Sequence, residues 1–164
     1  MPTPRITPCL WFNGQAQDAA RFYCSVFPDS RITTITRYAQ AGREQHGRTP
    51  GSVLTVGFEL GGQPFIGLNG GPQFTFSEAV SFQIPCRDQA DIDRYWNALL
   101  AGEGHPGQCG WLKDKFGLSW QVFPDELLAW IGDQTTPASQ RVMLAMHSMG
   151  KLDLAALRQA YAGA

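Results

Sequence analysis

The chain has 164 residues, of which 43% are apolar and 16% are charged, and its formal net charge at pH 7 is −1. This balance argues against nucleic-acid binding, which needs clustered Lys and Arg, and no apolar run approaches the roughly 20 residues of a membrane span. The first residues carry no apolar signal-peptide core. We therefore expect a cytoplasmic protein without nucleic-acid or membrane partners, whose four scattered cysteines are reduced.

Alternating and helical apolar patterns predict the elements in chain order. Strands are predicted over 5–13, 31–39, 53–60, 63–69, 79–85, 110–112 and 118–123. Helices are predicted over 15–27 and 89–101, and a helical tail with a short turn or helix over 126–131 and helices over 137–149 and 154–161. The polar loop 39–52 is long for a connection, so both a mobile flap and a solvated loop stay open.

The two predicted sheet-covering helices match each other along their length. Asp18 and Arg21 correspond to Asp91 and Arg94 at a constant offset of 73, and the strands before them match at an offset of 74. This similarity predicts an internal duplication, in which a strand, a helix and two or three strands occur twice. Chance similarity between two amphipathic helices is the alternative.

The segment 109–124 predicts a hairpin whose second strand has two different faces. Leu118, Trp120 and Val122 form an apolar face, whereas Gln121 lies on the other face between a hydroxyl and a ring. Gly117 can adopt the positive φ of the intervening turn, and Asp114 can hydrogen-bond its backbone.

The same alternation in the other strands sets a group of polar and aromatic residues apart from the apolar stripes. Aromatic rings for stacking, together with a few hydroxyl and amide groups, are typical of a small-molecule pocket. The residues that we predict on this basis to line such a cavity are Thr7, Cys9, Trp11, Ser81, Gln83, Trp111, Gln121 and Phe123.

Several strings resemble one known family over nearly the whole chain, tail included. They are Leu10-Trp-Phe-Asn, Val26-Phe-Pro-Asp-Ser30, Leu68-Asn-Gly-Gly-Pro72, the segment 109–117 and the segment 149–153. Together with the duplication, they are similar to the PhnB-like branch of the glyoxalase/bleomycin-resistance/dioxygenase (vicinal oxygen chelate) superfamily. Many members of this branch carry the label 3-demethylubiquinone-9 3-methyltransferase.

The resemblance implies an α+β fold of two βαβββ modules whose curled mixed sheets enclose a cavity, followed by a helical tail. We expect one domain over 1–164, with a first module at 5–70, a shortened second module at 78–124 and the tail at 125–164. The resemblance also implies a homodimer, possibly with exchanged modules or tails.

Metal-using members of the superfamily place His, Glu or Gln ligands at four cavity-facing positions. By that pattern the positions here are Thr7, Asn69, Ser81 and Gln121, and none of them is His, Asp, Glu or Cys. Neutral hydroxyls and amides compete poorly with the hydration shell of a divalent ion. We therefore predict neither a metal nor another cofactor.

Three hypotheses on function stay open. The first is a metal-free protein that binds a small polar-aromatic ligand, of unknown identity, in the cavity. The second is an enzyme, either a lyase, isomerase or dioxygenase of the superfamily or the methyltransferase of the label, with Cys9, Glu44 or His46 as the candidate base. The glycine-rich string at 68–72 precedes a strand rather than a helix, which does not support a nucleotide-derived methyl donor. The third is a filled interior whose polar residues only bond one another.

Overall fold

A computed structural model describes residues 6–163. The chain divides between residues 75 and 76 into two compact units. The first unit holds the first predicted module, and the second holds the second module and the tail, so the division falls where the sequence places the module boundary. The predicted single domain stays a prediction, and the start of the first predicted strand at Arg5 lies outside the described residues.

The first unit is a four-stranded mixed sheet with one main helix. Its elements are β1 Cys9–Phe12, α1 Ala16–Val26, β2 Arg31–Arg37, α2 Arg43–His46, β3 Val53–Leu60 and β4 Gln63–Asn69. The strand order is β1-β4-β3-β2, in which β1 and β4 are parallel and the other pairs antiparallel. The first strand is shorter than predicted. Pro8, just before it, has no N–H to donate, although its carbonyl still accepts from the Ile66 N–H at 2.9 Å.

The second unit repeats this sheet and adds three helices. Its elements are β5 Ser81–Cys86, α3 Gln89–Leu100, β6 His105–Pro106, β7 Trp111–Lys113, β8 Ser119–Pro124, α4 Leu127–Trp130, α5 Pro137–His147 and α6 Leu154–Ala162. The strand order is β5-β8-β7-β6, with β5 and β8 parallel and the other pairs antiparallel. The two-residue β6 was not predicted, because Gly104, Pro106 and Gly107 leave no alternating pattern to recognise.

The predicted duplication is confirmed by this common topology. In both sheets the first strand lies parallel to the last and is followed along the chain by the covering helix. The register agrees as well: Cys9 pairs with Ile66 in the first sheet and Gln83 with Gln121 in the second, and Cys9 and Gln83 are related by the offset of 74. Residues of β1 and β4 therefore have defined equivalents in β5 and β8.

Each module buries one face of its sheet against its helix. In the first, Phe12, Val56 and Phe58 are buried on this face, and the Tyr23 ring of α1 packs tilted against that of Phe58, with ring centroids 6.1 Å apart. The second module buries the same face of its sheet with a different set of residues: Ile84, Trp120, Val122, Ile92, Trp96 and Leu99. Burial of this apolar area is the main source of stability in each unit.

The tail forms its own apolar cluster on the second module. The predicted helices are confirmed, with Pro137 in the first turn of α5 and the side chains of Thr136 and Asp153 capping α5 and α6. The buried members of the cluster, defined here as the tail cluster, are Phe123, Leu127, Val142, Leu152 and Leu157. The tail therefore packs against the end of β8 rather than standing apart from the sheet.

Candidate functional site

Each sheet has a second face, opposite its covering helix, that we call the open face. In the second module the strand register aligns its residues in two lateral rows. The first row runs Ser81, Ser119, Lys113 and His105, and the second runs Gln83, Gln121 and Trp111. This face carries hydroxyl, amide, ammonium, imidazole and indole groups within one small area.

Three predicted cavity residues form a connected polar group on this face. The Gln121 Nε2 donates to the Ser81 Oγ at 2.8 Å, and the Gln83 Nε2 lies 3.4 Å from the Gln121 Oε1. Gln83 is exposed, and Ser81 and Gln121 are half-buried. Because Ser81 accepts the bond from Gln121, its own O–H is left to donate to another acceptor.

Beside this group lies a concavity of about 350 Å³, lined by Glu78, His105, Trp111, Lys113 and Ser119 among others. Ser119 is 1% exposed, and its Oγ has no hydrogen-bond partner within the described part of the chain. A buried hydroxyl without a partner carries a desolvation cost, which a hydrogen bond from a bound molecule would remove.

Lys113 brings the positive charge of the concavity. Its Nζ lies 2.6 Å from the Glu78 Oε1, and the Lys113 hydrogen bond is the main cause that lowers the pKa of the Glu78 carboxyl. The Glu78 side chain is 66% exposed and stands in the irregular segment before β5, whereas Lys113 is fixed at the end of β7.

A buried carboxylate fixes the hairpin that carries Lys113 and Ser119. The Asp114 Oδ1 accepts from the backbone N–H groups of Phe116 and Leu118, at 2.8 and 3.1 Å, and its Oδ2 accepts from the Trp120 Nε1 at 2.9 Å. Gly117 has φ +86° in this turn. Both roles expected from the sequence are thus confirmed, and the turn holds Lys113 directly opposite Ser119.

The open face of the first module is different in character. The Trp11 Nε1 donates to the Gly71 carbonyl at 2.8 Å, and its ring makes an edge contact with Phe74, with centroids 4.9 Å apart. The ring also lies so close to Gly70 that a Cβ at this position would overlap it. The Trp11 indole therefore packs against its own chain, while Cys9 is exposed and Thr7 half-buried nearby.

Asn69 does not lie on the open face, contrary to our expectation. It alternates with Phe65 and Gly67, which face α1; a Cβ on Gly67 would lie 3.1 Å from the Ala16 Cβ. The buried Asn69 side chain accepts from the Ala16 N–H at 2.9 Å and donates to the Val53 carbonyl at 3.1 Å. It caps the start of α1, and the first-module residue equivalent to Gln121 is Ile66.

Phe123 is also placed differently from the prediction. Strand alternation puts it on the same side as Ser119 and Gln121, but its ring is 5% exposed and belongs to the tail cluster. The tail thus covers this end of the open face, where we had expected a stacking surface. Trp111 is the aromatic residue of the predicted set that lines the concavity.

The contacts of these side chains show whether the four positions that correspond to metal ligands in the superfamily suit a metal ion. The positions are Thr7, Asn69, Ser81 and Gln121. Asn69 uses its amide to cap a helix, and Gln121 is bonded to Ser81. Nor do residues 6–163 contain any cluster of three or more His, Cys, Asp or Glu side chains able to hold an ion. The four residues therefore do not fit a divalent metal, which prefers carboxylate, imidazole or thiolate ligands.

The candidate bases of the enzyme hypothesis lie in the first unit. Burial raises the pKa of the Cys9 thiol, which makes it a weaker source of thiolate. The His46 Nδ1 accepts from the Arg48 N–H at 3.0 Å, and its ring lies 4.7 Å from that of Tyr38. The loop is anchored further by the Tyr38 hydroxyl, which donates to the Asn69 carbonyl at 2.8 Å.

Sequence reasoning missed four residues of the concavity: Glu78, His105, Lys113 and Ser119. Alternation had already put Ser119 on the same side as Gln121, which was a usable signal. Lys113 was read only as a turn residue, and His105 was missed together with β6. Glu78 gave no signal, because it lies in an irregular segment.

Comparisons with known proteins agree with this fold. The family model described as 3-demethylubiquinone-9 3-methyltransferase matches residues 4–123, which leaves the tail outside the match. Among curated proteins, none is significantly similar to this sequence. In addition, no helix within residues 6–163 is long and apolar enough to cross a membrane.

Two solved structures are similar over the same share of the chain. A protein of Bacillus cereus named a PhnB protein is 33% identical, with a TM-score of 0.63, over 73% of this chain and 99% of that one. A protein of Pseudomonas aeruginosa is 16% identical, with a TM-score of 0.58, over 74% of this chain and 98% of that one, and shows the shared fold alone. The chain therefore belongs to the family described as 3-demethylubiquinone-9 3-methyltransferase, to which the Bacillus cereus PhnB protein is also assigned by name.

Proposed function

We propose that this protein binds a small molecule on the open face of its second module, through direct side-chain contacts and without a resident metal. The observation that carries the proposal is the buried Ser119 hydroxyl, which has no partner within residues 6–163 and lines a concavity of about 350 Å³. Trp111 supplies a flat apolar wall beside it, and the Ser81–Gln121 pair offers hydrogen bonds. Ligand pockets generally combine apolar walls with a few polar groups in this way.

The proposal predicts that Ser119 lowers stability and favours binding. Replacing Ser119 with Ala removes a buried hydroxyl that lacks a partner, so stability should stay equal or rise by about 1 kcal/mol. Ligands found by a ligand-observed NMR screen of a metabolite library should bind the variant more weakly. Urea denaturation and titration measure the two effects separately.

Ser139→Ala is the matched control. Ser139 in α5 is also fully buried, and its Oγ also has no partner within the described residues, but it is not among the residues that line the concavity. Its replacement should change stability in the same direction and leave ligand affinity unchanged. Equal affinities for both variants and the native protein would contradict the proposal.

Gln121→Leu separates binding from a merely filled interior. Gln121 is half-buried and bonded to Ser81, so the fold should tolerate leucine while hits from the screen lose affinity. A sharp loss of stability with unchanged affinity would instead support the hypothesis that the polar residues only bond one another.

Methyl transfer, which the family description names, is the alternative to be tested. Its donor usually lies on a glycine-rich turn between a parallel strand and a helix. Here the Asn69 side chain already occupies the start of α1, where it accepts from the Ala16 N–H, so this N–H is not available to a methyl donor. Titration with S-adenosylmethionine tests this alternative, and tight binding would favour it over a simple binding protein.

Homodimer formation, with or without exchange of modules or tail, also stays a prediction that sedimentation velocity can test.

A further inference from the structure

The first lateral row of the second module is a continuous set of hydrogen-bond donors. Ser81, Ser119, Lys113 and His105 lie side by side across four strands. Hydroxyl, ammonium and imidazole groups can all donate to an oxyanion. Lys113 is the charged member, and Ser119 has no partner within residues 6–163.

The Glu78 carboxylate, which is itself an oxyanion, already contacts this row. The Glu78 Oε1 lies 2.6 Å from the Lys113 Nζ, at the concavity that Ser119 also lines. Glu78 comes from an irregular segment and is 66% exposed, so its ion pair contributes little to stability. A carboxylate supplied by another molecule can therefore take its place at low cost.

The second row supplies a flat surface at a suitable distance. Trp111 and Lys113 are two residues apart on β7 and point to the same face, which places their Cα atoms about 6.7 Å apart along the strand. That spacing matches one aromatic ring that bears a carboxylate: the ring lies along the Trp111 indole and the carboxylate reaches Lys113. Gln83 and Gln121 stand in the same row to bond polar substituents of the ring.

On this basis, and resting on the proposed binding function, we propose that the ligand is a small aromatic carboxylate that replaces Glu78 on Lys113. A neutral ligand in the same place would either leave the ion pair under it or leave the Lys113 ammonium without a partner. Covering a charge without compensation is unfavourable. Exchange of one carboxylate for another avoids this cost and adds the Ser119 hydroxyl as a second donor.

The experiment compares benzoate with its neutral counterpart benzamide. Both probes are titrated at millimolar concentrations into ¹⁵N-labelled full-length protein, and the readout is the indole N–H resonance of Trp111, assigned with Trp111→Phe. The variants are Lys113→Met, which removes the charge, and Glu78→Gln, which removes the competing carboxylate. Lys115→Met is the control, because Lys115 lies in the adjacent turn over the Phe116 ring and does not line the concavity.

The native protein should bind benzoate more tightly than benzamide. Lys113→Met should abolish this preference with a loss of about tenfold for benzoate, as for one charge-assisted hydrogen bond. Glu78→Gln should strengthen benzoate binding severalfold and leave benzamide unchanged, and Lys115→Met should change neither. Glu78→Gln is the sharper variant, since a gain of affinity cannot result from a damaged fold.

The possible failures are distinguishable. If benzoate and benzamide bind equally in all variants and Gln121→Leu weakens both, the anion preference is wrong and the proposed binding function stands. If Glu78→Gln weakens benzoate binding, Glu78 is part of the site rather than a competitor, and the exchange is wrong. If neither probe shifts the Trp111 resonance, the aromatic-carboxylate proposal is wrong, and the library screen with Ser119→Ala decides the proposed binding function separately.

Discussion

At equivalent positions on their open faces, the first module carries Cys9 and Ile66, and the second carries Gln83 and Gln121. The backbones that hold these pairs share strand order and register. In the first module, Trp11 is packed against the segment 70–74 of its own chain. In the second, Trp111 lines a concavity with Lys113 and Ser119.

The difference shows which parts of the repeated unit are constrained. The face toward the helix must exclude water in both modules, so it stays apolar in both even where the residues differ. The open face has no such requirement, and its side chains differ where β1 meets β4 and β5 meets β8: Cys9 and Ile66 in the first module correspond to Gln83 and Gln121 in the second. We infer that this glutamine pair marks the module in which the proposed ligand binds.

The largest expected effect tests the turn that is special to the second module. Asp114→Ala should lower the free energy of unfolding by about 3–5 kcal/mol, because three N–H donors lose their acceptor at roughly 1–3 kcal/mol each and the Phe116 donor, being only part-buried, loses least. Urea denaturation measures this. Asp114→Asn, which keeps one acceptor oxygen, should lose less, and an equal loss for both variants would contradict the assigned geometry.

An intermediate effect compares how the two modules cap their helices. Asn69→Ala should cost about 2 kcal/mol, because the buried amide bonds both the first turn of α1 and the Val53 carbonyl. Asp88→Ala should cost only about 1 kcal/mol, since Asp88 caps α3 locally through the Asp91 N–H at 2.8 Å. Thermal or urea unfolding of the two variants ranks them, and the reverse order would show that the long-range cap is not the stronger one.

The smallest effect, which leaves stability unchanged, uses one cysteine from each module. Burial raises the pKa of Cys86 to about 12, so almost no thiolate is present at pH 8, whereas Cys9 lies on the open face and is exposed. Thiolate is the reactive form, and access is also needed. Iodoacetamide at pH 8 should therefore modify native Cys9 well before Cys86. Mass spectrometry of the labelled peptides measures the order, and early labelling of Cys86 would show that the helix-facing side opens readily.

Much of the fold was predictable because periodicity reports burial. The stripe in α3 and the alternation of Leu118, Trp120 and Val122 both depend on which side chains meet the core, and the duplication followed from comparing such patterns. Short or irregular segments were not predictable, because they are too short to show a period. The strand β6 has two residues, and one of them is Pro106, so it shows no period.

The candidate site was predictable only in part, because alternation gives a face and does not give the neighbours on it. Asn69 was assigned to the wrong side of β4 because the positions near the strand end were matched by the resemblance rather than by register. Phe123 was assigned to the right side, but the tail that buries its ring packs there through contacts far along the chain. Glu78 meets Lys113 by a tertiary contact that no local pattern encodes.

The contact between Trp11 and Gly70 has a consequence for the divergence of related chains. Any side chain at position 70 would overlap the indole, so the two positions are able to change only together. A homologue that carries alanine or a larger residue at the equivalent of Gly70 should have a small residue in place of Trp11. Covariation at this pair would identify the homologues in which the first module has lost this tryptophan.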